Sequence, residues 1–246
     1  MLYIATTTFY PTANDLRCQL AGQFMNQVRE AGHKVIVVDD SPDPAIPEMF
    51  SELGAIVHRQ TAKGMGPGRR QAIQAIFDLA VKENNSTPIF VWIEPEKHPL
   101  IPLLEPAIRT VRAGANLVVP RRRSLASYPS YQQICEARGN WEAGSLTGAP
   151  ELDLYFGPRL MDMGTCAYFL DYEGDHGDKW DSIFIPVVRV VAAGRRVTSV
   201  TVDYVHPPEQ TQAEEGNVEM DKKRDVQLDT LLACIKVECE KLSLPR

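Results

Sequence analysis

Two glutamates, spaced two residues apart, directly follow a run of apolar β-forming residues. The run IFVWI reads as a buried strand, and Glu94-Pro95-Glu96 comes immediately after it. Side chains two residues apart in an extended segment point to the same side, so Glu94 and Glu96 can converge on one cation. Carboxylate oxygens are suitable ligands for Mg²⁺ and Mn²⁺. The pair is therefore a candidate metal site, and a solvated turn in which Lys97 pairs with a glutamate is an equally good interpretation.

Polar and small side chains also follow the other predicted strands. In an open parallel sheet, ligands bind outside the carboxyl ends of the strands, and a set with charges of both signs suits a nucleotide diphosphate and a metal. Asp39 and Asp40 could accept hydrogen bonds from a base or a ribose, although an Asp-Ser-Pro turn could equally cap the following segment. The strand-end residues are Thr7, Phe9, Asp39, Asp40, Lys63, Gly64 and Arg121.

A glycine-rich turn opens the helix that is predicted after the third strand. The segment AKGMGPGRRQAI carries Lys63 and Arg69 among three glycines. Glycines let the backbone approach a ligand closely, and a helix N-terminus favours anions. Lys63, Gly64 and Arg69 are therefore candidate diphosphate contacts. Sugar nucleotidylyltransferases also have a glycine-rich turn, but theirs follows the first strand, and the placement here disfavours that class.

A sheet must bring these residues together. Apolar strand-like runs alternate with segments of helical apolar spacing in the first half of the chain, namely LYIATTTF, VIVVDD, AIVHR, PIFVWI and ANLVVP. This alternation predicts an α/β fold with a mostly parallel sheet and helices on both faces. The second half reads as a helix, a turn and strand, a polar loop, a helix ending at Gly194 and a further strand. Residues 210–224 are polar and expected to be mobile, and an amphipathic helix closes the chain.

Composition narrows the class of protein. The 246 residues are 44% hydrophobic and 24% charged, which is typical of a globular protein, and the net charge of -6 argues against nucleic-acid binding. Five cysteines without a CxxC pair favour a reducing compartment. No run approaches the ~20 apolar residues of a membrane span, and the N-terminal residues do not form a signal peptide. We therefore expect a cytoplasmic protein.

The order of the motifs resembles that of GT-A fold nucleotide-sugar glycosyltransferases, closest to the family-two type and its sugar-glycerate synthase relatives. VIVVDDSPD resembles the nucleoside-binding segment, AKGMGPGRRQAI the glycine-rich segment, and FVWIEPEK lies where that family has its Asp-x-Asp motif. VVRVVAAGRRVTSVTVDYVHPP resembles the helix, glycine, strand and metal-binding histidine that follow the catalytic region. The resemblance extends over residues 2–207, with Glu-Pro-Glu in place of Asp-x-Asp.

This resemblance implies a single Rossmann-like GT-A domain over residues 1–246. Residues 1–123 would form the nucleotide-binding half, residues 124–207 the acceptor and catalytic half, and residues 208–246 a mobile loop and C-terminal helix. The implied enzyme transfers a hexose-like sugar from a UDP or GDP sugar to an acceptor hydroxyl, with bound Mn²⁺ or Mg²⁺. A homodimer is compatible with this family. The alternatives left open are a sugar-phosphate nucleotidylyltransferase and a non-catalytic nucleotide-sugar binding protein.

The resemblance also assigns the metal ligands. Glu96 would bind the ion directly, Glu94 would act through water, and His206 would complete the protein ligands. Alternatively, His206 is an ordinary polar residue at a strand end.

Catalytic and acceptor-side roles follow from the same comparison. Asp181 would be the base that deprotonates the acceptor in an inverting enzyme, with Asp178 as the rival, although Asp181 is also a good helix N-cap. Gly157 and Pro158 resemble the acceptor-side loop, or else form a tight structural turn. The polar segment could close over the donor, with Lys222 or Arg224 in contact with phosphate.

Overall fold

The computed structural model describes residues 1–244, and a seven-stranded sheet lies at the centre of this part of the chain. Its strands are β1 Tyr3–Thr8, β2 Lys34–Asp39, β3 Ile56–Arg59, β4 Phe90–Trp92, β5 Leu117–Arg122, β6 Arg159–Met161 and β7 Val197–Val202. They lie in the order β3-β2-β1-β4-β6-β5-β7. Every neighbouring pair is parallel except those of β6, which runs antiparallel to β4 and β5. The predicted mostly parallel α/β sheet is confirmed.

Helices cover both faces of this sheet, also as predicted. They are α1 Leu16–Glu30, α2 Ala45–Glu52, α3 Met65–Lys82, α4 Glu105–Arg112, α5 Ser130–Thr147, α6 Met163–Leu170, α7 Asp181–Ala192, α8 Pro208–Glu214 and α9 Val218–Lys241. Two 3₁₀ segments, Pro95–Leu103 and Leu154–Phe156, complete the described elements. None of the helices in residues 1–244 is both long and apolar enough to cross a membrane.

The alternation of side chains along β1 divides the core into two layers. Tyr3 and Ala5 belong to the apolar cluster under α3, α6, α7 and α9, whereas Leu2 and Ile4 belong to the cluster under α1, α2 and α4. Successive residues of a strand face opposite sides of the sheet, so one buried strand supplies both layers. All four residues are fully buried. This packing holds the carboxyl ends of β1, β2 and β4 at one edge.

The polar segment 210–224 differs from the expectation of a loop, because it is helical. It contains most of α8 and the start of α9, and Asn217 caps α9 by accepting hydrogen bonds from the N–H groups of Glu219 and Met220, each 3.2 Å long. Arg224 forms an ion pair with Glu214 across the two helices. Caps and ion pairs such as these stabilise helices that have few apolar residues. The final residues 245–246 of the expected C-terminal segment lie outside the described residues.

Candidate functional site

A cleft of about 550 Å³ opens where β1, β2 and β4 end. One side of it, here called the strand-end half, is formed by the residues after these strands and by the turn before α3. The other side, the helical half, is formed by α5, the 3₁₀ helix Leu154–Phe156, α7 and α9. Most of the residues predicted from the sequence line this cleft: Thr7, Phe9, Asp40, Gly64, Arg69, Glu94, Glu96, Gly157, His206 and Arg224.

Glu94 is wedged against Gly157, which comes from the turn before β6. A Cβ atom at Gly157 would lie 2.3 Å from Glu94 Oε1, and the φ of Gly157 is +99°. Glu94 Oε2 is buried and makes no hydrogen bond to the described part of the chain, although the Lys97 ammonium lies 3.4 Å away. Both carboxylate oxygens are thus held against Gly157, and Oε2 makes no hydrogen bond to the described residues.

Glu96 has different partners. It is buried, accepts a 3.0 Å hydrogen bond from the Tyr10 hydroxyl, and lies 2.7 Å from Arg17 Nη2. The two glutamates therefore do not share one set of neighbours, contrary to the expectation from strand spacing. The physical reason is that β4 ends at Trp92 and a 3₁₀ helix starts at Pro95, so the two-residue periodicity of a strand does not apply.

His206 is buried against an aromatic ring. Its imidazole stacks on Tyr128 with ring centroids 4.2 Å apart, and neither ring nitrogen has a hydrogen-bond partner within residues 1–244. Burial, together with the charges of Lys97, Arg122 and Arg224, lowers the pKa of His206 to about 3. The ring is therefore neutral at pH 7 and keeps a lone pair, as a metal ligand requires.

The expected metal site is partly assembled. No three His, Cys, Asp or Glu side chains in the described residues converge closely enough to hold a metal ion, so the trio of Glu94, Glu96 and His206 is not a preformed three-ligand site. The 3₁₀ turn directs Glu96 to Arg17 instead. Glu94 and His206, however, line the same cleft with buried, unpartnered atoms, and a carboxylate with an imidazole is a chemically suitable donor pair. Together with ligand oxygens, this pair fits a divalent ion.

The two aspartates at the end of β2, Asp39 and Asp40, differ in burial and in hydrogen bonding. Asp39 is fully buried and accepts hydrogen bonds from the hydroxyls of Thr8 (2.7 Å) and Ser41 (2.6 Å). Asp39 is not among the described residues that line the cleft, so its position does not support the predicted contact with a base or ribose. Asp40 lines the cleft, with Arg59 3.5 Å away. The turn-forming alternative describes Asp39 better.

Arg69 and Lys63 also differ. Arg69 is buried, donates to the carbonyl of Lys179 (2.7 Å) and to the hydroxyl of Ser182 (3.0 Å), and lines the cleft. Its guanidinium carbon lies 5.3 Å from the ring of Trp92 and 4.6 Å from that of Trp180. Burial lowers the pKa of Arg69 to about 10, so it stays charged at pH 7. Lys63 is exposed and is absent from the described lining, because the turn directs it to solvent.

The two candidate bases are held outside the cleft. Asp181 is buried and accepts hydrogen bonds from the Tyr172 hydroxyl and from the N–H groups of Asp178 and Lys179, the latter two at 3.1 and 2.6 Å. Asp178 accepts two hydrogen bonds from Arg70, of 2.6 and 2.7 Å. Neither carboxylate lines the described cleft. Asp181 is the first residue of α7 and its side chain holds the preceding turn, which is close to the capping alternative.

Three other predicted residues are explained by their local geometry. Arg121 is exposed on β5, and the buried guanidinium is that of Arg122, since alternate strand residues face opposite ways. Pro158 is buried behind Gly157 and does not line the described cleft. Arg224 does line it, where it donates a 2.7 Å hydrogen bond to Gln132.

Several lining residues carried no recognisable sequence signal. Tyr10 lies just past the end of β1, where a search of strand ends extended by a few residues would have found it, whereas Arg17 lies in the first turn of α1. The aromatic and apolar members come from segments that read as ordinary core, and only the fold brings them to the cleft. These are Trp92, Tyr155, Trp180, Phe184 and Leu228.

Comparisons with known proteins agree with this geometry at the level of the fold. No protein-family model and no curated protein matches the sequence. Glucosyl-3-phosphoglycerate synthase from Mycobacterium tuberculosis, solved with phosphoglyceric acid, superposes with a TM-score of 0.63 at 12% identity, over 100% of this chain and 81% of that one. The same enzyme with Mn²⁺, UDP-glucose and phosphoglyceric acid gives 0.59 at 15% identity, over 100% and 81%. Mannosyl-3-phosphoglycerate synthase from Rubrobacter xylanophilus gives 0.59 at 12%, over 100% and 76%.

The chain has the GT-A fold. The likeness extends over the whole chain, but the identity is low, so it concerns the arrangement of elements and not individual residues. The resemblance seen in the order of the sequence motifs is confirmed at this level. The cleft lies at the edge of the sheet where β1, β2 and β4 end. This is the edge at which open, mostly parallel sheets bind their ligands.

Proposed function

We propose that the chain is a glycosyltransferase that moves a sugar from a nucleotide-diphosphate sugar to an acceptor hydroxyl. The acceptor oxygen forms a bond to the anomeric carbon as the bond from that carbon to the diphosphate breaks. The electron pair leaves with the diphosphate, and the hydroxyl proton passes to the diphosphate or to water. UDP is the preferred nucleotide in this proposal, because structural neighbours were solved with UDP and UDP-glucose.

One observation carries the proposal: on a GT-A fold, the cleft at the strand ends contains buried acceptor atoms of Glu94 and His206 that have no hydrogen-bond partner in residues 1–244. Buried polar atoms are normally satisfied, so unsatisfied ones that line a cleft are candidates for contact with a bound ligand or ion. A bound Mn²⁺, or Mg²⁺ as second choice, would be held by these two side chains and would neutralise charge on the leaving diphosphate. Neighbouring structures were solved with Mn²⁺.

The other lining residues have roles that suit a nucleotide. Asp40 offers a carboxylate to a ribose or base, and Gly64 lets the backbone at the start of α3 approach phosphate. Lys97 and Arg69 place positive charge on the same side of the cleft. In this proposal residues 1–123 supply most of the donor site, residues 124–207 the acceptor site, and residues 208–246 part of the wall facing it.

Calorimetric titration of the full chain with UDP and with GDP, each with Mn²⁺, Mg²⁺ or a chelator, tests the donor and metal together. We expect UDP to bind, and Mn²⁺ to increase its affinity by at least about tenfold, since charge-assisted contacts to a diphosphate contribute that much. Incubation with UDP-glucose and Mn²⁺ should then release UDP. Failure of both nucleotides to bind under all three conditions would contradict the proposal, as would pyrophosphate release from a nucleoside triphosphate with a sugar phosphate.

A further inference from the structure

The helical half of the cleft has an apolar and largely aromatic wall, in which Tyr155 and Trp180 are partly exposed and the other members are buried. Its members come from the 3₁₀ helix Leu154–Phe156, from α7 and the residue before it, and from α9. They are Tyr155, Trp180, Ile183, Phe184 and Leu228. A wall of this composition in a ligand cleft recognises the apolar face of a ligand.

The wall is held in place by close packing. The rings of Tyr155 and Phe184 meet edge to face, with centroids 5.2 Å apart. Tyr155 also lies so near α5 that a Cβ atom at Gly139 would come within 2.5 Å of its ring, and its N–H donates a 3.1 Å hydrogen bond to Asn140. These contacts leave the ring little freedom, so the apolar surface exists before any ligand binds.

The charges that line the cleft are balanced. Among residues 1–244, the lining includes five acidic side chains, Asp40, Glu94, Glu96, Glu136 and Glu214, and five cationic ones, Arg17, Arg69, Lys97, Lys223 and Arg224.

Most of the cationic side chains are also engaged. Arg17 contacts Glu96, Lys97 contacts Glu94, and Arg224 contacts Glu214. Arg69 donates to a carbonyl and a hydroxyl, and Lys223 is exposed on α9. The acidic residue in the helical half, Glu136, pairs with the buried Arg122, which does not line the cleft.

From this wall and this charge balance we infer that the acceptor is an uncharged molecule whose hydroxyl lies beside an apolar face, such as a sugar ring with an aryl group. The inference rests on the proposed function and names the substrate class of the helical half. It also separates this chain from its structural neighbours, which were solved with phosphoglyceric acid.

The physical reason is the cost of placing an anion against this wall. A phosphate group carries about −1.5 to −2 charges at pH 7, and burying charge without a partner is strongly unfavourable. The leaving diphosphate would already draw on the cations of the strand-end half, Arg69 among them. In the helical half Arg224 is paired with Glu214, so among the described lining residues a phosphorylated acid would find only Lys223 there, which is exposed on α9. A neutral ring loses only weakly bound water there and gains contact with the aromatic side chains.

Saturation-transfer NMR on the full chain tests this with two probes, p-nitrophenyl β-D-glucopyranoside and 3-phosphoglycerate, each with and without UDP and Mn²⁺. We expect the aryl glycoside to bind and 3-phosphoglycerate not to bind. Trp180→Ala should weaken the glycoside about three- to tenfold, which corresponds to the loss of one aromatic contact. Trp180→Phe should retain most of the affinity. Trp141→Ala is the matched control, because Trp141 is 73% exposed on α5 and does not line the described cleft.

The outcomes are distinguishable from those that bear on the proposed function. Binding of 3-phosphoglycerate, or of neither probe, overturns the inference even when UDP and Mn²⁺ bind. So does an equal effect of Trp180→Ala and Trp141→Ala. Thermal unfolding of each variant shows whether a loss of binding reflects a loss of fold, and Trp180→Phe decides the matter if Trp180→Ala is unfolded. Glycoside binding that is lost in Trp180→Ala and kept in the control supports the inference.

Discussion

Glu94 and Glu96 differ in what already holds their carboxylates. Glu96 is neutralised by Arg17 and accepts a hydrogen bond from Tyr10, so binding a metal would require it to give up both. Glu94 has a buried oxygen that makes no hydrogen bond to the described residues, although the Lys97 ammonium lies 3.4 Å from it and the buried Arg69 and Arg159 are close enough for its charge to oppose the lowering of their pKa values by burial. At the scale of single residues, the geometry therefore reverses the order of importance that the sequence motif implied, in which Glu96 was the direct ligand.

We expect Glu94→Gln to reduce the Mn²⁺-dependent gain in UDP affinity by at least about tenfold, since even indirect disturbance of metal ligands has effects of that size. Glu96→Gln should reduce it less, because its carboxylate is engaged elsewhere. Calorimetry of UDP with Mn²⁺ and with a chelator measures both variants, and metal-free UDP affinity serves as the control. A larger effect of Glu96→Gln would show that Arg17 releases Glu96 on binding and that Glu96 is the direct ligand.

At the scale of elements, the turn between the 3₁₀ helix Leu154–Phe156 and β6 decides where Glu94 points. Gly157 adopts a φ of +99°, which side chains rarely tolerate, and any Cβ atom there would displace the Glu94 carboxylate. Strand β6 is antiparallel and lies between β4 and β5, so it delivers this turn directly beside the end of β4. The acceptor-side glycine thus supports the proposed metal site.

Gly157→Ala should therefore destabilise the fold by about 1–3 kcal/mol and also abolish the Mn²⁺-dependent gain in UDP affinity. Gly148→Ala is the matched control, because Gly148 at the end of α5 has a φ of +69°, and a Cβ atom there would meet no described neighbour within 4 Å. It should show the backbone strain without the loss of metal dependence. Chemical denaturation and calorimetry give the two quantities. Equal metal dependence in both variants would show that Gly157 does not position Glu94.

At the scale of the whole molecule, a buried ionic cluster joins the second half of the sheet to α5. Arg122 on β5 donates hydrogen bonds of 2.7–2.8 Å to Asp153 and forms an ion pair with Glu136 of α5. Asn140 donates a further 2.7 Å hydrogen bond to Asp153. Burial alone would raise the pKa of Asp153, but the Arg122 charge and these hydrogen bonds lower it below its usual range. The cluster fixes the helix that carries Gln132 and Glu136 to the cleft.

Because the pKa of Asp153 is lower in the folded than in the unfolded chain, its contribution to stability is present above about pH 4 and is lost as the pH falls through the folded pKa. Asp153→Asn leaves Arg122 buried and partly unpaired, so it should lower the free energy of unfolding at pH 7 by about 3–5 kcal/mol and flatten the acid dependence. Urea denaturation at a series of pH values between about 3 and 7 measures the free energy of unfolding and its dependence on pH.

Asp203→Asn is the control for this prediction. Its partner Arg123 and Asp203 itself are exposed, with 65% and 70% of their side-chain surfaces accessible, and such pairs contribute about 0–1 kcal/mol. If Asp153→Asn were no more destabilising than Asp203→Asn, the Arg122 cluster would not be what fastens α5 to the sheet.

The apolar runs and the glycine-rich turn were enough to predict a mostly parallel sheet with helices on both faces, because local hydrophobic periodicity reports which face of an element is buried. The order of the motifs was enough to predict the GT-A fold, and it also brought Glu94, Gly157 and His206 into consideration. Each of these signals is local in the chain. A search limited to strand ends therefore found most of one half of the cleft.

Only the tertiary structure decided which member of the aspartate pair faces the cleft. Asp40 faces it rather than Asp39, because Thr8 and Ser41 hold Asp39 in the sheet edge. The aromatic wall of the helical half could not be predicted, since an aromatic residue such as Tyr155 looks the same in a core and in a cleft wall. The position of Tyr155 depends on packing between elements that are far apart in sequence. The close contact between its ring and Gly139 forms only when α5 and the 3₁₀ helix pack together. Regular spacing determines side-chain direction within a strand or a helix, whereas distant contacts determine it in the turns and irregular segments that carry much of this cleft.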